Sequence, residues 1–190
     1  PIVEVDVAVE DLTPEAIVLC VDGVETTYRT TRIVANLTLS DGEHQIIIMA
    51  YDMTGNTETA IIVFVVDTEP PAISVMWPLN GSWLSSGTIN VSWIVEDENL
   101  DCSELYLNGS LVARYAGLSV SDVLVVGDGV WVLRVVAYDL AGNVGSAEVL
   151  FFVDTRPPVI SVFSPANGAV CGRNVTVNIS IAERYLGEFF

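Results

Sequence analysis

The sequence predicts an all-β chain: antiparallel β-sandwiches in tandem, joined by short proline-rich linkers. Three observations predict it. The stretch "AYDMTGNTETAIIVFVVDTEPP" at 50–71 returns as "AYDLAGNVGSAEVLFFVDTRPP" at 137–158. Apolar and polar residues alternate in short runs bounded by Asp-Gly and Asn-Gly, the period of a half-buried strand. No segment shows a helical period.

The repeat has a fixed spacing. Asp41-Gly42 maps on Asp128-Gly129, Asp52 on Asp139, Gly55-Asn56 on Gly142-Asn143, Asp67 on Asp154 and Pro70-Pro71 on Pro157-Pro158, all at an offset of 87. Upstream, "VEDLTPEAIVLCVDG" (9–23) lies on "VEDENLDCSELYLNG" (95–109) at an offset of 86. One residue of slack is what a loop tolerates. A third copy begins where "PPAISVMWPLNG" (70–81) returns as "PPVISVFSPANG" (157–168).

Each copy reads as strands. In "INVSWIVE" (89–96), Ile89, Val91, Trp93 and Val95 share one face. "VEVDVAVE" (3–10) and "VTVNISIA" (175–182) alternate in the same way. Asp22-Gly23 and Asn108-Gly109 suit hairpin turns, because both pairs accept the positive φ that a two-residue turn needs. Asp41-Gly42 and Asp128-Gly129 mark further turns. Gly142 supplies a left-handed backbone position in the hairpin between Asp139 and Asn143, whose side chains can bond turn amides. Two prolines then close the last strand, since neither can donate a ladder bond, and hold an extended, stiff connector. About seven short strands per copy imply two packed sheets.

This parse gives a first domain at 1–69 lacking its first strand, a complete domain at 70–156, and a partial domain at 157–190 with two or three strands. The chain opens at Pro1 without Met and stops in mid-pattern, which reads as a mature product or a window on something longer. Strand 158–164 could also complete the first domain of a neighbour by strand addition, covering a sheet edge otherwise bare.

Composition narrows the function. The 190 residues carry 25 acids against seven arginines and no lysine, for a formal charge of −18. Nucleic acid, which demands a basic surface, is excluded as a partner. The longest apolar run, Ala60–Val66, is seven residues, far short of the roughly 20 a membrane helix needs. Cys20, Cys102 and Cys171 are odd in number and sit at non-equivalent places in the repeat, so no repeated disulfide exists. The single His44 aligns with Trp131 and is read as a ring in the core or at its rim. One histidine and no lysine leave the serines without a base, so no catalytic triad is expected. A sandwich with short turns offers little room for the cleft that paired glycosidase acids require.

The string "DG…V.A.D.AGN…V.F.VDT.PP.I….P.NG" resembles the bacterial and archaeal immunoglobulin-like repeats of large cell-surface proteins of S-layer, stalk or adhesin type. The resemblance covers nearly the whole chain. It implies immunoglobulin-like sandwiches in an extracellular, non-enzymatic structural protein. The disulfide of antibody domains is missing, which departs from antibody kinship and leaves the sandwich intact.

Four further expectations follow. At the first junction, Asp67, Glu69, Glu96, Asp97, Glu98 and Asp139 gather hard oxygens suited to Ca²⁺; the resemblance implies the same use. The second junction, with Asp154 and Glu183 beside Arg156 and Arg184, is a poorer site. Against calcium stands the reading in which each Asp caps its own turn. Asn36, Asn80, Asn90, Asn108, Asn174 and Asn178 all begin Asn-x-Ser/Thr, where composition alone gives about one or two. They are candidate N-glycosylation sites, and with the family style they suggest an archaeal surface layer or filament. Finally, Val130, Val132, Val136 and Tyr138 make the outer face of 130–139 apolar, and 60–66 is apolar on both faces. Faces of that kind suit self-association or a neighbouring subunit. The alternatives are an adhesin stalk or accessory modules of a secreted hydrolase.

Overall fold

A computed structural model describes residues 2–11 and 13–183. These form sixteen β-strands and no helix.

The first sheets come from residues 2–66. Strand β1 (Ile2–Ala8) pairs antiparallel with β4 (Arg32–Thr38), with Val5 opposite Ala35. Strands β2 (Pro14–Val21), β3 (Val24–Tyr28), β5 (Gly42–Asp52) and β6 (Thr57–Val66) form a second sheet in the order β3-β2-β5-β6. Val5, Leu19 and Ile46 are the buried centre between them, ringed by Val7, Val21, Tyr28, Leu37, Ile48 and Phe64. The alternation explains why: Val3, Val5 and Val7 turn inward while Glu4 and Asp6 face water. Arg32 crosses to Asp6 on that wet face at 2.6 Å.

The next sheets come from residues 72–153. Strands β7 (Ala72–Trp77), β9 (Thr88–Glu96) and β12 (Ser119–Val125) form a sheet ordered β12-β9-β7. Strands β8 (Ser82–Leu84), β10 (Leu100–Leu107), β11 (Ser110–Tyr115), β13 (Gly129–Asp139) and β14 (Val144–Val153) form the other, ordered β11-β10-β13-β14-β8. This distribution of strands between two sheets is immunoglobulin-like. Ile89, Val91, Trp93 and Val95 are all buried, as their alternation predicts. Trp93 meets Tyr115 edge-on at 5.0 Å, the geometry favoured by the ring quadrupole. Strand β8 runs parallel with Phe151–Val153 of β14.

The last pair is β15 (Val159–Ser164) with β16 (Asn178–Ala182). The strand expected at 175–182 is therefore shorter, and Val175–Val177 lie outside it. The β15 register shifts between Val162 and Ser164 and ends opposite Asn178, so residues before Asn178 have no ladder to join. Arg184, which the sequence places near the second junction, lies outside the described residues.

Contacts gather the chain into two compact units. One holds Pro1–Ala72, Glu96–Ser103 and Val136–Ser146; the other holds Ile73–Val95, Glu104–Val135 and Ala147–Phe190. The predicted turns form as read: Asp22 and Asn108 adopt positive φ, each followed by a glycine that does the same. Val136, expected on an apolar outer face, is buried, within the stretch Val136–Ser146 that packs into the first unit. None of the three cysteines forms a disulfide; Cys20 and Cys102 are buried and Cys171 is exposed.

Candidate functional site

The repeated hairpin supplies the first part of the site. In one copy, the Asp52 carboxylate accepts from the Thr54 and Asn56 amides at 2.8 Å each, and from Asn56 Nδ2 at 2.6 Å. Asn56 foremost among these donors holds the Asp52 carboxyl down to about 2. In the other copy, Asp139 accepts from the Asn143 amide and from Asn143 Nδ2, both at 2.8 Å. Gly55 and Gly142 both sit at positive φ, the left-handed position that lets the loop curl back on its aspartate. The two aspartates differ in setting. Asp139 is only 5% exposed. Burial pushes its carboxyl up, but bonds from Asn143 and the turn amides outweigh that, and it stays below the usual carboxylate range.

The second part is the stretch after β6. Asp67 folds an Asx turn, accepting from the Glu69 amide at 3.1 Å. Asn99 Nδ2 donates to Asp67 Oδ2 at 2.7 Å, and Asn143 Nδ2 reaches the Asp67 carbonyl at 3.1 Å. Asp97 in turn accepts from the Asn99 amide at 2.8 Å. The result is a cluster in which Asp67, Asp97 and Asp139 each place a carboxylate oxygen within 4.8 Å of the others. All three belong to the first compact unit.

The structure thus brings together three of the acids listed from sequence. Glu69 and Glu96 are exposed and do not join the cluster. Glu96 follows inward-facing Val95 on β9, so period 2 turns it outward. Glu69 projects from the Asx turn whose amide is bonded back to Asp67. Asp154 instead accepts from the Arg156 amide at 3.1 Å, and neither it nor Glu183 enters a comparable group among the described residues. The cluster is chemically suited to a hard divalent cation, whose ligands are carboxylate and carbonyl oxygens. It is also internally hydrogen-bonded through Asn99 and Asn143.

Two pairs escaped the sequence reading. Thr68 Oγ1 donates to Asp41 at 2.8 Å, and Thr155 Oγ1 donates to Asp128 at 2.8 Å. Both pairs repeat at the offset of 87, which was the available signal. Arg156 adds a bond to Asp128 at 2.8 Å. The role is structural: a turn aspartate holds the residue just past the last strand.

All six sequon asparagines are exposed. Two also serve the fold. Asn80 Oδ1 accepts from the Leu150 amide at 2.9 Å, and Asn108 Oδ1 accepts from the Val132 amide at 2.8 Å. His44 is buried, as expected of a core ring.

No family model matches the chain. It is 29% identical over 152 residues to Bacillopeptidase F of Bacillus subtilis (strain 168), covering 78% of this chain and 10% of that protein. The chain therefore spans about a tenth of that relative. Among solved structures it is similar to the fibronectin(III)-like modules of Clostridium thermocellum CbhA, at 14% identity and a TM-score of 0.48, covering 80% of this chain and 85% of that one. It is also similar to a structure concerned with host cell surface retention of a 1.5-MDa bacterial ice-binding adhesin, at 18% identity and a TM-score of 0.40, covering 86% of this chain and 62% of that one.

Proposed function

We propose that this chain is a non-catalytic structural stretch of a large extracellular protein, in which immunoglobulin-like sandwiches are spaced along a microbial surface layer, stalk or filament. One observation carries the reading. The side chains that recur in both copies hold turns and linkers: Asp52 and Asp139 hold their hairpins, and Asp41 and Asp128 hold the threonine after the last strand. A repeat kept for chemistry would be expected to repeat a nucleophile with its base, and this one repeats connectors. In this reading Asp67, Asp97 and Asp139 hold Ca²⁺ in one unit, and the exposed sequons carry glycans.

Protease shaving of intact cells tests the role. Antibody against the chain should detect it at the surface before shaving and in the released fraction afterwards. Recovery only from the cytosol overturns the reading.

A second reading has its own support. The 29% identity to a protein named Bacillopeptidase F favours accessory modules carried by a secreted peptidase. Sequencing the reading frame on both sides decides between them. A peptidase domain in the same frame favours the second reading, and further sandwich repeats favour the first.

A further inference from the structure

The chain uses tryptophan in two ways. Trp93 is fully buried, and Trp131 bonds its indole N–H to the Gly127 carbonyl. Trp77 and Trp83 instead remain 38% and 53% exposed. Both line one open recess of about 270 Å³ within the second compact unit. Leaving two large rings in water forfeits the burial they could supply. The repeat does not require them, because at the offset of 87 the next copy carries Ser164 and Val170 in their places. They belong to this recess and not to the sandwich as such.

The recess is firmly built. Trp83 stacks on Phe152 with ring centroids 4.3 Å apart and planes inclined by 12°. Phe152 takes one face of the indole, and with half the residue exposed the other face is open. The turn beyond Trp83 is fixed as well. Ser86 Oγ accepts from the Thr88 amide and donates to the Thr88 carbonyl, both at 3.1 Å. The rim is polar but neutral. Ser85 and Thr88 supply hydroxyls that bond no protein group among the described residues. Among those residues no charged side chain lines the recess, although the chain carries 25 acids and seven arginines.

These features select a class of ligand. A charged ligand would lose hydration here without meeting an opposite charge. A purely apolar one would strip water from the rim hydroxyls and leave them unpaired. A pyranose with equatorial hydroxyls satisfies both parts. Its axial C–H groups form an apolar face for an indole, and the hydroxyls at its edge can exchange bonds with Ser85 and Thr88. Aromatic walls with a few placed polar groups are the usual composition of a small-ligand site. β-Linked glucose and xylose keep every ring substituent equatorial and so present such faces along a chain. We propose that Trp77 and Trp83 form a binding site for a neutral, β-linked saccharide, with one sugar ring stacked on Trp83 and flanked by Trp77. Asn90 borders the same recess, so a glycan linked there competes for the space. This is a binding activity, separate from the structural role proposed above.

The full 190-residue chain carrying Asn90→Gln tests it, since no glycan can then occupy the recess. Titration with cellohexaose and with xylohexaose to millimolar concentration should give saturable heat and a change in tryptophan emission with at least one of them. Hexagalacturonate, an acidic saccharide, should give neither. Trp77→Ala and Trp83→Ala should each weaken binding about tenfold or more. Trp83→Phe should recover most of that loss, which separates stacking on the sugar from support of the fold. Ser85→Glu alters an exposed residue outside the Trp83–Phe152 stack. It should weaken binding by a similar factor with circular dichroism unchanged. Absence of a saturable response to both neutral sugars overturns the proposal. So does binding that survives both alanines, or hexagalacturonate binding as well as the neutral sugars.

Discussion

His44 Nδ1 lies 2.7 Å from the Asp22 carboxylate, and its Nε2 lies 2.8 Å from the Ser40 carbonyl. Both ring nitrogens therefore face acceptors, and only the imidazolium donates to both. The Asp22 bond, followed by the Ser40 carbonyl, raises the His44 pKa above its ordinary value. The Gln45 amide and then His44 hold Asp22 below the usual carboxylate range. Trp131 shows the neutral version of the arrangement, donating its indole N–H to Gly127, the counterpart of Ser40, at 3.0 Å.

A pH dependence follows. A raised folded-state pKa means that the stability from His44 is complete below its unfolded value of about 6.5 and lost as pH rises through the folded value. Depressed carboxylates act in the opposite direction. The Asp52 contribution is complete above an unfolded pKa of about 3.9 and disappears as pH falls towards about 2. Melting temperature measured against pH should therefore fall at both ends. His44→Gln should remove the decline that sets in as pH rises above about 6.5 and leave the acid limb in place. An unaltered upper limb in that variant would refute the assignment.

Gly145 marks a backbone contact of a different kind. A Cβ added there would lie 1.9 Å from the Pro71 carbonyl oxygen, a distance that no rotamer change relieves. The equivalent position in the earlier copy is Glu58, which is exposed. Gly145→Ala should cost about 1–3 kcal/mol, the usual range for overpacking, and lower the melting temperature by several degrees. Gly172→Ala, with open space around it, should change little. Equal melting temperatures for the two variants would show that Pro71 yields.

The strands were largely legible because alternation is a local signal. Ile89, Val91, Trp93 and Val95 needed only their spacing to be placed inward, and Asp22-Gly23 and Asn108-Gly109 needed only the sterics of positive φ. The acids were harder to place. Period 2 turns Glu96 away from its neighbours, a step the sequence reading did not take when it grouped the acids by loop. For Asp67 no period applies, since a linker has none, and its direction depends on Asn99 and Asn143, residues 32 and 76 positions away. His44 illustrates the same limit. Its burial followed from alignment with Trp131, whereas its pairing with Asp22 required knowing how the turn faces the strand.

The exposed sequons make a mass prediction. Asn36 on β4 and Asn90 on β9 point away from their cores, where a glycan meets no packed neighbour. Proteolytic peptides of native material that span these asparagines should exceed their bare masses by discrete glycan increments. Asn36→Gln and Asn90→Gln should each remove one such increment without loss of stability. Asn108→Gln should behave differently, because Asn108 occupies a positive-φ turn position and caps the Val132 amide. It should lower stability whether or not a sugar is attached. Bare peptide masses at all six sequons in native material would refute glycosylation.

Calcium binding at Asp67, Asp97 and Asp139 rests on crowding. Three carboxylates whose oxygens approach within 4.8 Å repel one another when ionised, and Asp139 is held ionised by its hairpin. Hydrogen bonds from Asn99 and Asn143 relieve part of that repulsion, and a divalent cation would relieve more. Chelator-stripped protein should release or absorb heat when titrated with millimolar Ca²⁺, and its melting temperature should rise. Ligand at 100 times its Kd adds about 2.7 kcal/mol to the folded state. Asp97→Asn is the sharper variant, because Asp97 is half-buried and lies outside the hairpin that Asp139 holds. It should abolish the calcium response while leaving the metal-free melting temperature unchanged or higher, as one of three like charges is gone. A wild-type chain with no heat and no shift in millimolar Ca²⁺ would leave the hydrogen-bonded cluster as a purely structural device.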